Sequence, residues 1–232
     1  MANFKTHLIG GAVISSVGAF ASFGQGLSNA EETQALFMVG VAASLLPDID
    51  ADDSKPTRAV FELGGIFAGF LVAFRFADRL KIVELMLIWG AVWLAVRFPV
   101  RMLFAHFTVH RGIWHSLLMA LVLSLCSTVA ASRWLQLEPL SAWLVGGFTL
   151  LGYVTHLVLD EAASVDLLDR RLKRSFGTAM KPLSLNAWPA SLCLLGLFYV
   201  LISLSPDPTP VLMAVEHLGI ETQPLAAVWP RW

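Results

Sequence analysis

Four short stretches of this chain carry side chains that can bind a metal ion together. Thr6-His7 stands near the amino terminus, Pro47-Asp48-Ile49-Asp50 ends one apolar run, His110-Arg111-Gly112-Ile113-Trp114-His115-Ser116 opens another, and His156 and Asp160 close a third. His156 and Asp160 are four apart, so on a helix they share one face and converge on a single ion. His110 and His115 are five apart; Gly112 allows a helix to start between them, with His110 in the loop and His115 on the first turn. Asp48 and Asp50 converge in a non-helical turn, which Pro47 favours. Neutral imidazoles with several carboxylates form a mixed N/O donor set for one or two divalent ions, Zn first and Mn or Fe next, and suit these better than Mg or Ca, which prefer oxygen ligands alone.

Each motif alone has a plainer reading: a lone membrane histidine is often a hydrogen-bonded packing residue, and Asp48 to Asp53 also read as a solvated acidic turn. Together they point to a site, because ionisable groups at membrane depth are costly and a bound cation offsets the burial of several acids. The chemistry expected of it is hydrolysis of a phosphoester, lipid or lipid-linked substrates included, by a metal-activated water. Arg111 is the candidate phosphate clamp, because its planar fork matches that anion. Asp50 or Asp160 is the candidate general base. Ser116 reads as a helix-start hydrogen-bonding group rather than a nucleophile. His106 and His217 are left outside the ligand set, and Arg58 with Glu62 reads as a salt bridge at helical spacing. A metal-ion transporter or a metal-binding regulatory membrane protein would use the same donors and stands as the alternative; transport calls for ligands near mid-membrane.

The elements that must position these groups are apolar helices. Of 232 residues, 56% are hydrophobic and only 14% charged, against roughly half and a quarter in ordinary globular chains. A net charge of -1 gives no concentrated basic surface for nucleic acid, and none is expected as a partner. Cys126 and Cys193 lie in apolar stretches and read as small hydrophobes. Lys5 followed by an apolar run and Ala19-Phe20-Ala21 resembles a secretory leader, but His7 and the packing glycines Gly10, Gly11 and Gly18 favour a retained helix. Seven apolar segments follow one another, at 7–24, 33–47, 59–75, 82–104, 113–132, 140–160 and 188–205. The short 33–47 and the Arg97- and Arg101-bearing 82–104 are the least regular spans. The fold class expected is all-α, a polytopic transmembrane bundle of about five to seven membrane helices occupying 1–205. Residues 161–187 form a charged extramembrane flap, and 206–232 an extramembrane tail.

An alternating path puts the starts of odd helices and the ends of even ones on one face, so all four motifs meet there. Eleven of the 16 Lys and Arg residues fall on that face, which places it in the cytoplasm.

At these motifs the sequence resembles the YdjM-like family of bacterial inner-membrane proteins, described as metal-dependent hydrolases and also labelled LexA-binding. The resemblance covers most of residues 1–187. It rests on Thr6-His7 with Gly10, Pro47-Asp48-Ile49-Asp50, His110-Arg111-Gly112 with His115-Ser116, His156 to Asp160, and Phe176-Gly177-Thr178 with Pro182. It implies the bacterial inner membrane as location, a metal-dependent hydrolase as activity, and a ligand role for His7, Asp48, Asp50, His110, His115, His156 and Asp160. It supplies no substrate, and the charged insertion from Glu161 to Arg174 departs from the short family form. The order of ligand types is also similar to that of zinc-dependent phospholipase C enzymes.

Overall fold

A computed structural model describes residues 3–50, 55–102, 114–166, 171–172, 188–217 and 219. Its α-helices, in chain order, are α1 (Phe4–Gly24), α2 (Ala30–Ala43), α3 (Lys55–Phe74), α4 (Ile82–Ala95), α5 (Leu117–Arg133), α6 (Pro139–Ser164), α7 (Trp188–Leu204) and α8 (Thr209–His217), with a 3-10 helix at Leu46–Asp50. The chain divides into two compact units, Met1–Pro47 with His115–Trp232, and Asp48–Trp114.

In the first unit the helices are built inside out compared with a water-soluble bundle. The stripe that α1 buries is His7, Gly11, Ser15, Ala19 and Ser22, spaced four, four, four and three, whereas Ile9, Val13, Val17 and Phe20 are more than half exposed. Small residues at helical spacing let backbones approach closely, and lipid accepts the large apolar side chains left outside. Local signals set the ends of these helices. The Asn3 side chain accepts the Thr6 amide at 2.9 Å to begin α1, and Gly26, at φ 70°, turns the chain out of it. Asn29 and Glu32 form a reciprocal capping box at the start of α2. Ser141, in the first turn of α6, donates to Glu32 Oε1 at 2.6 Å. That hydroxyl and the Asn29 amide hold the Glu32 carboxyl below the ordinary carboxylate range.

The Ser141 bond joins the starts of α2 and α6, so these helices run side by side in the same direction. The approach is closest at Gly152, where a Cβ would strike the Gly40 carbonyl oxygen and crowd the Ser44 amide. Helix α5 returns antiparallel along α6: Ser124 Oγ donates to the Gly146 carbonyl at 2.9 Å, which brings the start of α5 level with the His156 end of α6. Apolar side chains fill two clusters on either side of α6. One joins Ala19, Leu36 and Phe148, and the other joins Leu118, Val122, Leu125 and Leu201. Helix α8 turns 90° from α7, and the Trp143 indole donates to the Pro206 and Asp207 carbonyls at this bend.

The second unit is the α3–α4 hairpin. Trp89 and Trp93 of α4 lie against Gly69 and Gly65 of α3, and Trp89 Nε1 donates to the Ile66 carbonyl at 3.2 Å. After Ala95 the helix widens into a π turn over Val96–Val100, which contains Pro99, a residue with no amide proton for the regular ladder. Arg97 on that turn donates to Glu62 at 2.6 Å and lies over the Trp93 ring at 5.1 Å. Glu62 thus pairs across the hairpin with Arg97, in place of the Arg58 partner that sequence spacing suggested.

Among the described residues, three helices are long and apolar enough to cross a membrane: Phe4–Gly24, Ile82–Val100 and Pro139–Ala163, with the bent α7–α8 pair a fourth candidate. Helical segments appear at all seven expected places, but α2 with 14 residues and α5 with 17 are short of a full span, so five to seven complete spans are not established. The charged stretch beginning at Glu161 opens as the last turn of α6, and Val165–Asp166 then pairs antiparallel with Arg171–Leu172. Residues 167–170 and 173–187 of that stretch lie outside the described residues, as do most residues of the tail after His217.

Gly152→Val should destabilise the protein by about 1–3 kcal/mol, the usual range for overpacking. Gly147→Val, where a Cβ meets open space, should leave stability unchanged. Thermal unfolding in detergent, followed by circular dichroism, measures both.

Candidate metal centre

The first unit gathers four of the expected ligands at one end of its bundle. His7 lies on the first turn of α1, His115 just before α5, and His156 and Asp160 on successive turns of α6. All are at most 4% exposed. The local sequence explains each position. Ser116 is the N-cap of α5, its hydroxyl accepting the Met119 amide at 3.2 Å, so the helix begins at Leu117 and His115 stands immediately outside it. The expectation that His115 occupies the first turn is corrected by two residues, because the serine takes the capping position.

Asp160 is the hub. Its Oδ1 lies 3.3 Å from His7 Nε2, and its Oδ2 lies 3.6 Å from His115 Nε2 and 3.8 Å from His156 Nε2. His7 and His156 stack with ring centroids 3.6 Å apart and planes 10° from parallel, while His115 meets His156 edge-on at 5.9 Å.

Ser44, at the end of α2, sets the orientation of this group. His156 Nδ1 lies 2.8 Å from the Ser44 carbonyl. A carbonyl only accepts, so Nδ1 carries the proton and a neutral ring presents a lone pair from Nε2 toward Asp160. The Ser44 hydroxyl bonds the His7 carbonyl at 3.3 Å, tying the same residue to α1. A Cβ on Gly11 would collide with the Ser44 hydroxyl, so glycine there lets α1 come this close. Sequence reasoning missed Ser44, because the bond to His156 uses its backbone and any residue type supplies a carbonyl.

These donors fit a divalent metal. Bonds of about 2.0–2.2 Å in a tetrahedron put ligand atoms roughly 3.3–3.6 Å apart, close to the spacings around Asp160. One ligand atom from each of His115, His156 and Asp160 lies within 4.8 Å of the others. Nitrogen lone pairs and a carboxylate facing one another in an apolar bundle call for a positive charge between them. Among the described residues, neither ring nitrogen of His7 has a hydrogen-bond partner, and Nε2 faces the second Asp160 oxygen, so the carboxylate presents one oxygen to each side of the cluster.

Of the other expected ligands, Asp48 opens the second unit on the 3-10 helix, directly after the buried Pro47, and its carbonyl accepts the Thr57 hydroxyl at 3.4 Å. Asp50 ends that short helix, and its side chain lies outside the described residues, as do His110, Arg111 and His106. The 3-10 geometry replaces the expected irregular turn at Asp48 and Asp50 with a tight helical one. His217 closes α8 and is exposed, apart from the four ligands in sequence and burial.

No curated protein and no solved structure matches this chain. The profile of the YdjM inner membrane protein family matches residues 1–205, which contain all the His and Asp motifs described above. With a match across most of its length, on helices whose exposed faces are those of a membrane protein, the chain belongs to the YdjM inner membrane protein family.

Proposed function

We propose that this protein is a membrane-embedded, metal-dependent hydrolase of phosphoester bonds, with its site on the cytoplasmic face. The observation that carries the proposal is one buried carboxylate, Asp160, with three imidazole Nε2 atoms within 3.8 Å. Asp48 is a further ligand that the family resemblance implies. Asp50 and His110 complete the set that the family resemblance implies, His7 serving the Oδ1 side of Asp160. His115, His156 and Asp160 would hold a divalent cation, Zn first for a mixed imidazole and carboxylate set, and the ion would supply an acidified water and Lewis acidity toward a phosphoryl oxygen.

The residues of the chain do the rest. Ser44 keeps His156 in the tautomer that presents Nε2. Arg111 clamps the phosphoryl anion through its paired N–H donors. Asp50 or Asp160 accepts the proton of the attacking water, and the apolar helices around the cluster limit competing solvent. The cytoplasmic assignment rests on the excess of Lys and Arg on the face where the motifs meet. Asp160 sits four residues before the end of a 26-residue helix, which favours a site open to one face over the mid-membrane position that ion transport calls for.

Protein purified in detergent should retain zinc or a similar ion. His156→Ala and Asp160→Asn should weaken metal binding by at least the roughly 10–100-fold that loss of an outer-sphere partner costs. His217→Ala should bind as the parent does, and calorimetric titration with Zn measures all three. Hydrolysis of phosphomonoesters and phosphodiesters should require the ion; full activity after chelation would end the metal-dependent mechanism, and metal uptake into proteoliposomes without hydrolysis would replace the hydrolase reading with transport.

The general base separates from the ligands in a second experiment. Asp50→Asn should lower kcat by roughly 10²–10⁴-fold and abolish the acidic limb of the pH–rate profile while bound metal is retained, if Asp50 takes the proton. Loss of metal together with rate assigns Asp50 to the ion and leaves the base to Asp160.

A further inference from the structure

A groove of about 900 Å³ runs along the first unit between α2, α5, α6 and α7. Its walls are apolar. The two hydroxyls on it, Ser127 and Thr149, bond one another at 2.9 Å and ask nothing of a ligand. One end lies beside the metal centre: Ala43 and Leu46 line it and flank Ser44, whose carbonyl holds His156. At the other end stand Arg133 and Trp134, and the Arg133 guanidinium donates to the Leu204 carbonyl at 3.3 Å, linking the ends of α5 and α7. Arg133 is exposed and lines this end of the groove, where long basic side chains can lay an apolar stem along a membrane boundary. Along α5 the lining runs from Leu123 to Arg133, roughly 15 Å of helix, about the depth of one hydrocarbon leaflet.

We infer that this groove holds one hydrocarbon chain of an amphiphile, acyl or prenyl, whose polar head lies at the His/Asp end and whose tail points toward Arg133. The direction follows from the proposed reading: a cation held by His115, His156 and Asp160 would draw an anionic head to the Ala43 and Leu46 end, whereas the Arg133 guanidinium is engaged with the Leu204 carbonyl at the far end. The volume lies within the roughly 300–1,000 Å³ that small-molecule sites offer, and mostly apolar walls whose two hydroxyls bond one another suit a methylene chain. The groove sits among helices whose outer faces meet lipid, so a chain enters it sideways from the bilayer. The inference rests on the proposed phosphoesterase reading, whose substrate it narrows from phosphoesters at large to membrane amphiphiles.

The test is photolabelling of the full chain in nanodiscs of phosphatidylethanolamine and phosphatidylglycerol, with the ion retained and each phosphatidic acid probe made as its non-hydrolysable phosphonate, so that binding is read apart from turnover. Phosphatidic acid carrying a diazirine near the ester end of one chain should label Ala43 to Leu46. The same lipid with the diazirine at the chain terminus should label Ala130 to Trp134. Ala42→Phe, at an exposed position, and Ala130→Phe on the facing wall should each abolish both labels, and either variant suffices where the other fails to fold. Reversed positions for the two probes, or labelling that spreads evenly over the lipid-facing residues of α1 and survives both substitutions, would overturn the inference. Ordered labelling in a protein with no phosphoesterase activity would uphold the groove and remove the hydrolase reading alone.

Discussion

The structure depends on keeping a carboxylate at Asp160 inside an apolar helical bundle. A lone ionised acid there would cost several kcal/mol in effective desolvation, so the surrounding helices must supply compensation. They do so with imidazoles from three separate chain segments, at distances that suit ligands sharing an ion better than direct charge-assisted hydrogen bonds. A cation shared by these groups would meet that electrostatic demand.

Bringing those segments within reach requires helices that nearly touch. Glycine at positions 11 and 152 and the small stripe of α1 allow it, and Ser44 converts the close approach into orientation by bonding both His7 and His156. The large side chains displaced from such interfaces turn outward, where lipid accepts them. The same economy explains why so much of the buried surface of α1 is polar or small: in a bilayer, shape and hydrogen bonds hold helices together, because the lipid outside is as apolar as the side chains.

The second unit manages its own polar groups by a different device. The π turn at Val96–Val100 brings Arg97 to Glu62 and over Trp93, so a cation within an apolar segment has both an anion and an aromatic face. Spacing along α3 suggested Arg58 as the partner of Glu62, because i,i+4 neighbours are what a single helix reveals. A hairpin adds partners from the opposite helix, and these are invisible until the chain is folded.

Composition and periodicity alone determined that the chain is helical and membrane-bound, because a bilayer imposes a length and an apolarity that can be counted. They also determined that His7, His115, His156 and Asp160 share one end of the bundle, since alternating helices leave little choice of side. Family membership was legible in the ordered motifs. Tertiary structure decided what depends on atoms rather than residue types: the Ser44 carbonyl that sets the His156 tautomer, the stacking of His7 on His156, and the helix start at Leu117. It also decided how much of α2 and α5 is helical, and opened the groove beside α6. Backbone carbonyls and spaces between helices belong to no residue type, so no string of letters records them.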